Sequence, residues 1–219
     1  MIPPEQDGEY VARMEDVLAV YERPYDRNAP VVCMDEQPVQ MIQETRDPVP
    51  AAAGRPARVD YEYSRNGVAD IFMFTEPKAG RRQVSVTEHR TKIDWAHQVR
   101  DLLDGPYAGV RKVTLVMDNL NTHSTGSLYE AFPPAEARRL AERLDIHYTP
   151  KHGSWLNIAE NELSALTRQC LSRRIGTIAK LREQVTAWER DRNAATIRVN
   201  WRFTIDRARE RLRRVYPEI

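Results

Sequence analysis

The chain has 219 residues, 41% of them hydrophobic and 30% charged, the composition of an ordinary globular protein able to bury a full core. No window approaches the ~18 consecutive apolar residues of a membrane span, and residues 1–8 lack the basic cluster and apolar run of a secretory signal, so a cytoplasmic protein is expected. Cys33 and Cys170 lie far apart and outside any CxxC pair, which points away from a disulfide framework or a cysteine zinc site. The net charge of +1 hides an asymmetry. Residues 1–50 hold 4 basic and 11 acidic side chains (4 − 11 = −7), and residues 161–219 hold 14 and 7 (14 − 7 = +7). A basic last quarter can track phosphates or simply solvate helical faces, and charge alone does not choose.

In chain order, residues 8–21 carry Val11, Met14, Val17 and Leu18 at helical spacing and predict a lead-in helix before Pro24. Residues 31–34 are a short apolar run rich in strand formers, ending at Asp35 and Glu36. Pro48, Pro50, Gly54 and Pro56 mark residues 46–58 as a loop. Strands are predicted over 59–64, 69–75 and 83–87, with Asn66-Gly67 and Ala79-Gly80 as the turns of an antiparallel meander. A helix over 91–103 places Ile93, Ala96, Val99, Leu102 and Leu103 on one face. Residues 113–117 are apolar almost throughout, as a strand covered on both faces should be, and end at Asp118. Pro133-Pro134 opens an amphipathic helix through Leu144, and 146–149 form a short strand closed by Pro150. Leu156, Ala159, Leu163, Leu166 and Cys170 form a helical stripe over 155–171, and helices near 181–192 and 205–215 complete the chain. Trp95, Trp188 and Trp201 are expected in the core. This order predicts an α/β layered domain, a mixed sheet flanked by helices.

Asp35 and Asp118 each stand where an apolar strand ends, the edge at which open α/β folds place their ligand sites. Glu160 lies in the first turns of the following helix. Carboxylates from two neighbouring strands and an adjacent helix can converge on hard divalent cations. An Asp beside a turn residue also simply ends a strand, and a Glu near a helix start also suits the helix dipole. Helical spacing does not separate Glu160 from Glu162, since each lies about 80° from the centre of the apolar stripe, on opposite sides.

Two further segments carry a resemblance. Val116-Met117-Asp118-Asn119-Leu120-Asn121-Thr122-His123 resembles the second-aspartate motif of the mariner superfamily of DDE transposases. His147-Tyr148-Thr149-Pro150-Lys151-His152-Gly153-Ser154-Trp155-Leu156-Asn157-Ile158-Ala159-Glu160 resembles its third-carboxylate motif, and 31–36 fits the first-aspartate strand. The likeness is closest to the bacterial insertion-sequence branch and runs from about Tyr10 to Tyr216. Ile158 stands where the wider superfamily usually has Pro, and the separation of 42 (160 − 118) exceeds that of eukaryotic members. The helix opened by Pro133-Pro134 accounts for the extra length.

The resemblance implies a ribonuclease H-like fold, a five-stranded mixed sheet whose first three strands are antiparallel. It would comprise an N-terminal helix and linker (1–28), the catalytic domain (29–175) and C-terminal helices packed on it (176–219). It implies the triad Asp35, Asp118 and Glu160 as both catalytic and metal-binding, with two Mg²⁺ ions (Mn²⁺ as substitute), and it selects Glu160 over Glu162. On that basis Glu162→Gln is expected to be nearly silent in DNA nicking. The implied reaction is cleavage at a transposon end followed by strand transfer into target DNA, at a TA step, by a homodimer. A nuclease of the same fold without strand transfer, or an inactive remnant that binds DNA or a partner chain, are the alternative readings. Lys151, His152, Trp155, Arg168, Arg173 and Arg174 are the candidate DNA contacts. Trp155 could stack on an unpaired base or pack against the sheet edge. His123 and His152 could contact phosphate, orient a carboxylate or bond a loop carbonyl. The helix-turn-helix modules that read transposon ends in this superfamily are expected to be missing from the residues before Asp35.

Overall fold

The computed structural model describes residues 7–46, 49–56 and 61–218. Helix α1 (Gly8–Glu22) is capped by Asp7, whose carboxylate accepts from the Tyr10 amide at 3.0 Å, and it buries Tyr10, Met14, Val17 and Leu18. Strands β1 (Val31–Glu44), β2 (Tyr63–Glu76) and β3 (Arg81–Thr87) follow, then helix α2 (Lys92–Asp104) and strand β4 (Val113–Met117). Helices α3 (Thr125–Ala131) and α4 (Pro134–Glu142) lead to strand β5 (Leu144–Tyr148), and helices α5 (Ile158–Gln169), α6 (Ile178–Ala194) and α7 (Ile205–Arg211) complete the fold. The sheet order is β3-β2-β1-β4-β5. β1, β2 and β3 are mutually antiparallel, while β1–β4 and β4–β5 are parallel. This is the five-stranded mixed sheet expected from the sequence. No helix among the described residues is long and apolar enough to cross a membrane.

Alternation along the strands sends side chains to two cores. Val32 and Met34 join Phe72, Phe74, Trp95, Leu115 and Met117 on the side covered by α2, α3 and α4. Cys33, Ile71, Met73 and Val116 join α1, α5, α6 and the C-terminal residues Ala208 and Val215 on the other. Every residue of β4 is buried, as its position between two parallel neighbours requires. The stripe read on α5 is buried at all five positions. Trp95 is fully buried, while Trp188 and Trp201 are partly buried against the α5-side core.

Several local expectations are corrected. β1 does not stop at Asp35; it continues to Glu44 because β2 keeps pairing with it after β4 has ended. Asn66-Gly67 is not a hairpin turn but lies within β2. The pairs Gln40↔Val68 and Ile42↔Arg65 put one extra residue on β2, a bulge, and Gly67 takes φ +86° there. Asn66 is held by amide hydrogen bonds from its Nδ2 to Gln43 Oε1 and the Gly176 carbonyl. Ala79-Gly80 does turn the β2–β3 hairpin, and a side chain at Gly80 (φ +73°) would meet the Thr196 backbone at 2.9 Å. Ile93 is 49% exposed, and Trp95 takes the buried place instead. α3 lies in a stretch for which the sequence predicted no element, and β5 begins at Leu144, where a helix end was expected. The proline-rich loop forms an Ala52↔Arg55 bridge; its residues 47–48 and 57–58, and 59–60 of the expected strand over 59–64, lie outside the described residues.

Glu162 is the largest revision. It is 2% exposed and lies between two arginines: Arg82 donates Nε and Nη2 to its two oxygens at 2.9 and 2.8 Å, and Arg192 donates Nε and Nη2 at 2.6 and 3.1 Å. Burial pushes its carboxyl up, but the two guanidiniums hold it below the usual carboxylate value. This pairing ties α5 to β3 and α6. Glu162→Gln should therefore cost stability, whatever its effect on nicking: it leaves guanidinium charge buried without its counter-ion, a change of about 3–5 kcal/mol. Thermal unfolding should show a loss of that size for Glu162→Gln and a far smaller one for Glu160→Gln. Equal, small losses would mean that the buried pairing contributes nothing net.

Candidate active site

The parallel pairing of β1 with β4 runs over three rungs, Val31↔Thr114, Val32↔Leu115 and Cys33↔Val116. Two residues further along the same register, Asp35 stands opposite Asp118, the first residue beyond β4. Neighbouring strands are about 4.8 Å apart, so the two residues stand on adjacent strands at the same level. Alternation places Asp35 on the Cys33 side, the face that α5 covers. There α5 starts at Asn157, whose side-chain oxygen accepts from the Ala159 amide at 3.1 Å while its Nδ2 donates to the Met34 carbonyl at 2.8 Å. One buried side chain thus caps the helix and fastens it to the backbone beside Asp35. Glu160 lies in the first turn so fixed. The Tyr21 hydroxyl, donating to the Leu156 carbonyl at 2.7 Å, holds the approach to that turn from α1.

Electrostatics register the convergence. The Asp35 carboxyl is raised from 3.8 to about 7, first by burial, against a hydrogen bond from the Glu36 amide, and further by the charges of Asp118, Glu160 and Glu36. Like charges near a desolvated carboxyl favour its neutral form. Among the described residues no three His, Cys, Asp or Glu side chains are already gathered as a cage for an ion. The donor chemistry nevertheless suits a hard divalent cation. Mg²⁺ takes one or two carboxylates with substrate oxygens and water, and a cation would relieve the crowding at Asp35.

Behind Asp118 lies His123, whose side chain is fully buried. Its Nδ1 is 2.6 Å from Asp118 Oδ1 and its Nε2 is 2.7 Å from Glu36 Oε2. Burial opposes charge on the imidazole, but the bonds to Asp118 and Glu36 outweigh it and raise its pKa to about 9. Of the roles open to His123 from sequence, the structure supports orientation of a carboxylate.

The other candidates divide. An open cleft of about 500 Å³ is lined by Asp118, Asn119, Leu120, Lys151, His152 and Ser154, with Tyr10 and Arg13 of α1 opposite. Asp35 and Glu160 do not line it. His152 has φ +64°, which sets the bend of the loop between β5 and α5. Trp155 donates its indole N–H to Tyr10 Oη at 3.2 Å and meets Phe203 edge-on at 5.5 Å, so it packs between α1 and the C-terminal segment. Arg168 is exposed and bonds Ser164. Arg173 and Arg174 line a second groove along β1, where Arg174 pairs with Glu44 and covers the Tyr63 ring. Sequence reading gave Glu36, Asn157, Arg82 and Arg192 no role. A second acid directly after Asp35 at the end of the apolar run was a usable signal for Glu36; the arginines offered none.

A family model for the DDE superfamily endonucleases matches residues 30–182, well over half of the chain. The chain belongs to the DDE superfamily of endonucleases. The match takes in all three candidate carboxylates of this DDE domain. Among solved structures, the Mos1 mariner paired-end complex with Mn is similar, with a TM-score of 0.57 and 14% identity, covering 90% of this chain and 61% of that one. The mariner Mos1 paired-end complex with Mg gives 0.58 and 16%, covering 100% and 66%, and the Mos1 strand transfer complex gives 0.56 and 13%, covering 90% and 61%. At such identity the likeness is one of fold, and it agrees with the ribonuclease H-like fold expected from the sequence. The chain spans about three fifths of the length of these transposase chains. Among curated proteins no match was found.

Asp35 carries a pH signature. Its folded value lies above its unfolded one, so the folded protein holds a proton that the unfolded chain releases between about pH 4 and 7. That stabilisation is complete below the unfolded value and lost as pH rises through the folded one. Asp35→Asn should therefore match the metal-free wild type near pH 4 and melt higher than it at pH 8, by about 2–4 °C per kcal/mol relieved. Identical melting curves at pH 8 would show that Asp35 is not strained.

Proposed function

We propose that the chain is the catalytic domain of an insertion-sequence transposase, cutting DNA at transposon ends and joining the freed 3′ end to target DNA through Asp35, Asp118 and Glu160. The observation that carries the reading is the matched register of Asp35 and Asp118 on neighbouring strands, with the charges of Asp118 and Glu160 felt at Asp35 and a helix latched nearby whose first turn bears Glu160. Membership of the DDE endonucleases supports the nuclease chemistry. The fold shared with Mos1 transposase complexes, which include forms with Mn and with Mg and a strand transfer complex, supports the rest.

Asp35, Asp118 and Glu160 would hold one or two Mg²⁺ ions, with Mn²⁺ as a substitute. Such ions supply Lewis-acid activation of the attacking oxygen and neutralise charge on the leaving one. The chain's own contribution is positioning and electrostatics. Asp35 must give up the proton it holds up to about pH 7 before it can act as a ligand, so cation affinity should rise with pH through neutrality. Lys151 and His152 sit where a phosphate backbone entering the cleft beside Asp118 would pass, and Arg13 faces them from α1. Leu120 and Tyr10 offer apolar surface to a base or sugar. The target TA step and a homodimeric active complex belong to the same proposal.

Magnesium- or manganese-supported nicking of duplex DNA should fall to background in Asp35→Asn, Asp118→Asn and Glu160→Gln, each with its melting transition retained. Ca²⁺, which accepts looser geometry, should bind without supporting turnover. Wild-type activity that survives in Asp118→Asn would locate the chemistry elsewhere. A labelled end joined to a second duplex distinguishes strand transfer from plain hydrolysis, and cleavage without any joined product would reduce the reading to a nuclease.

A further inference from the structure

Glu36 follows Asp35 in β1 and faces the opposite side of the sheet, with Met34. A carboxylate there is costly: its side chain is 3% exposed and its neighbours Met34 and Phe72 belong to the apolar core. His123 offsets that cost. Its Nε2 meets Glu36 Oε2 at 2.7 Å and its Nδ1 meets Asp118 Oδ1 at 2.6 Å. Both ring nitrogens face carboxylate oxygens, an arrangement suited to an imidazole that donates from both. The ring is itself fixed. Trp95 lies 6.0 Å away at an interplanar angle of 31°, Tyr148 Oη donates to the His123 carbonyl at 2.7 Å, and the His123 amide donates to the Leu120 carbonyl at 2.9 Å.

Asp118 is different. It is the first residue past β4, outside any ladder, with a side chain 37% exposed. An aspartate so placed has free rotamers unless something holds it. Among the described residues the contact that holds it is His123, on one oxygen only, which leaves Oδ2 for a ligand. The arrangement runs from a buried anchor on the strand that carries Asp35, through a clamped ring, to the exposed carboxylate on the neighbouring strand end.

We propose that Glu36 and His123 are positioning residues, a buried strut that fixes Asp118 Oδ1 and so presents the other oxygen to a divalent cation. The inference rests on the proposed role of Asp118 as a cation ligand. It makes Glu36, beside Asp35 in sequence, a support for the other aspartate. Partners that orient a ligand from behind commonly alter cation affinity by about 10–100-fold.

The test is Mn²⁺ binding to the metal-free full chain, read by calorimetry and by the loss of free-ion electron paramagnetic resonance signal, with nicking followed in parallel. His123→Ala should weaken Mn²⁺ binding about 10–100-fold at a temperature well below its own melting transition. Glu36→Gln still accepts from Nε2 and should fall between His123→Ala and wild type. The double variant His123→Ala/Glu36→Gln should bind no more weakly than His123→Ala alone, since the strut is already broken. His147→Gln, on a half-buried histidine bonded to Asp16 and Asp145, should bind as wild type. Folded His123→Ala with wild-type Mn²⁺ affinity would overturn the proposal, as would additive losses in the double variant. Should His123→Ala fail to fold, Glu36→Gln decides alone: lowered stability with unchanged affinity would make the strut merely structural. Asp118→Asn separates this failure from that of the functional reading. If it binds Mn²⁺ as tightly as wild type, the triad assignment fails first.

Discussion

Three rungs of parallel pairing between β1 and β4 set the geometry on which everything else at the site depends. Parallel strands need a crossover between them, and here β2, β3 and α2 intervene before the chain returns at Val113. The return is in the register that brings residue 118 level with residue 35. A shift of one residue would turn the alternation of β4 over, moving Leu115 and Met117 out of one core and Val116 out of the other. The two hydrophobic cores therefore police the alignment of the two aspartates. Apolar packing, which is indifferent to charge, fixes the spacing of the charges.

Helix α5 is fixed from several directions at once. Asn157 fastens its start to the Met34 carbonyl, and Tyr21 holds the turn before it. Glu162 anchors its middle to Arg82 and Arg192, and Leu163 and Leu166 fill the core beneath. Glu160 is left as the acid on this helix that is neither buried nor, among the described residues, paired with arginine, although Glu162 is only two residues away. The burial of one and the relative openness of the other support Glu160 as the acid proposed to meet a cation.

Periodicity made the main elements legible: the stripe of α5, the all-apolar β4 and the lead-in helix are where spacing put them. Local signals failed where long-range pairing overrode them. Asn66-Gly67 has turn chemistry, yet β2 absorbs it as a bulge because β1 continues opposite. The boundary read at Asp35 was the end of one partner, not of the strand. At the site, Asp118 follows a strand end and Asp35 lies where the apolar run of β1 stops, but the choice between Glu160 and Glu162 could not be made from helical angle, because angle does not reveal which side faces two arginines distant in sequence. Arg82 and Arg192 are 110 residues apart (192 − 82), and only the fold makes them neighbours.

The pairing at Glu162 also separates two units that would otherwise be taken as one. The segment shared with other DDE endonucleases spans residues 30–182, and it holds Arg82 and Glu162 but not Arg192. Nor does it hold Val185, Ala208 and Val215, or any of α1, which fill the same core as α5. The stretch that evolution repeats across the superfamily is thus smaller than the stretch that must fold together here. A fragment trimmed to the shared segment would keep every acid of the proposed triad and expose the apolar underside of the helix that carries the third.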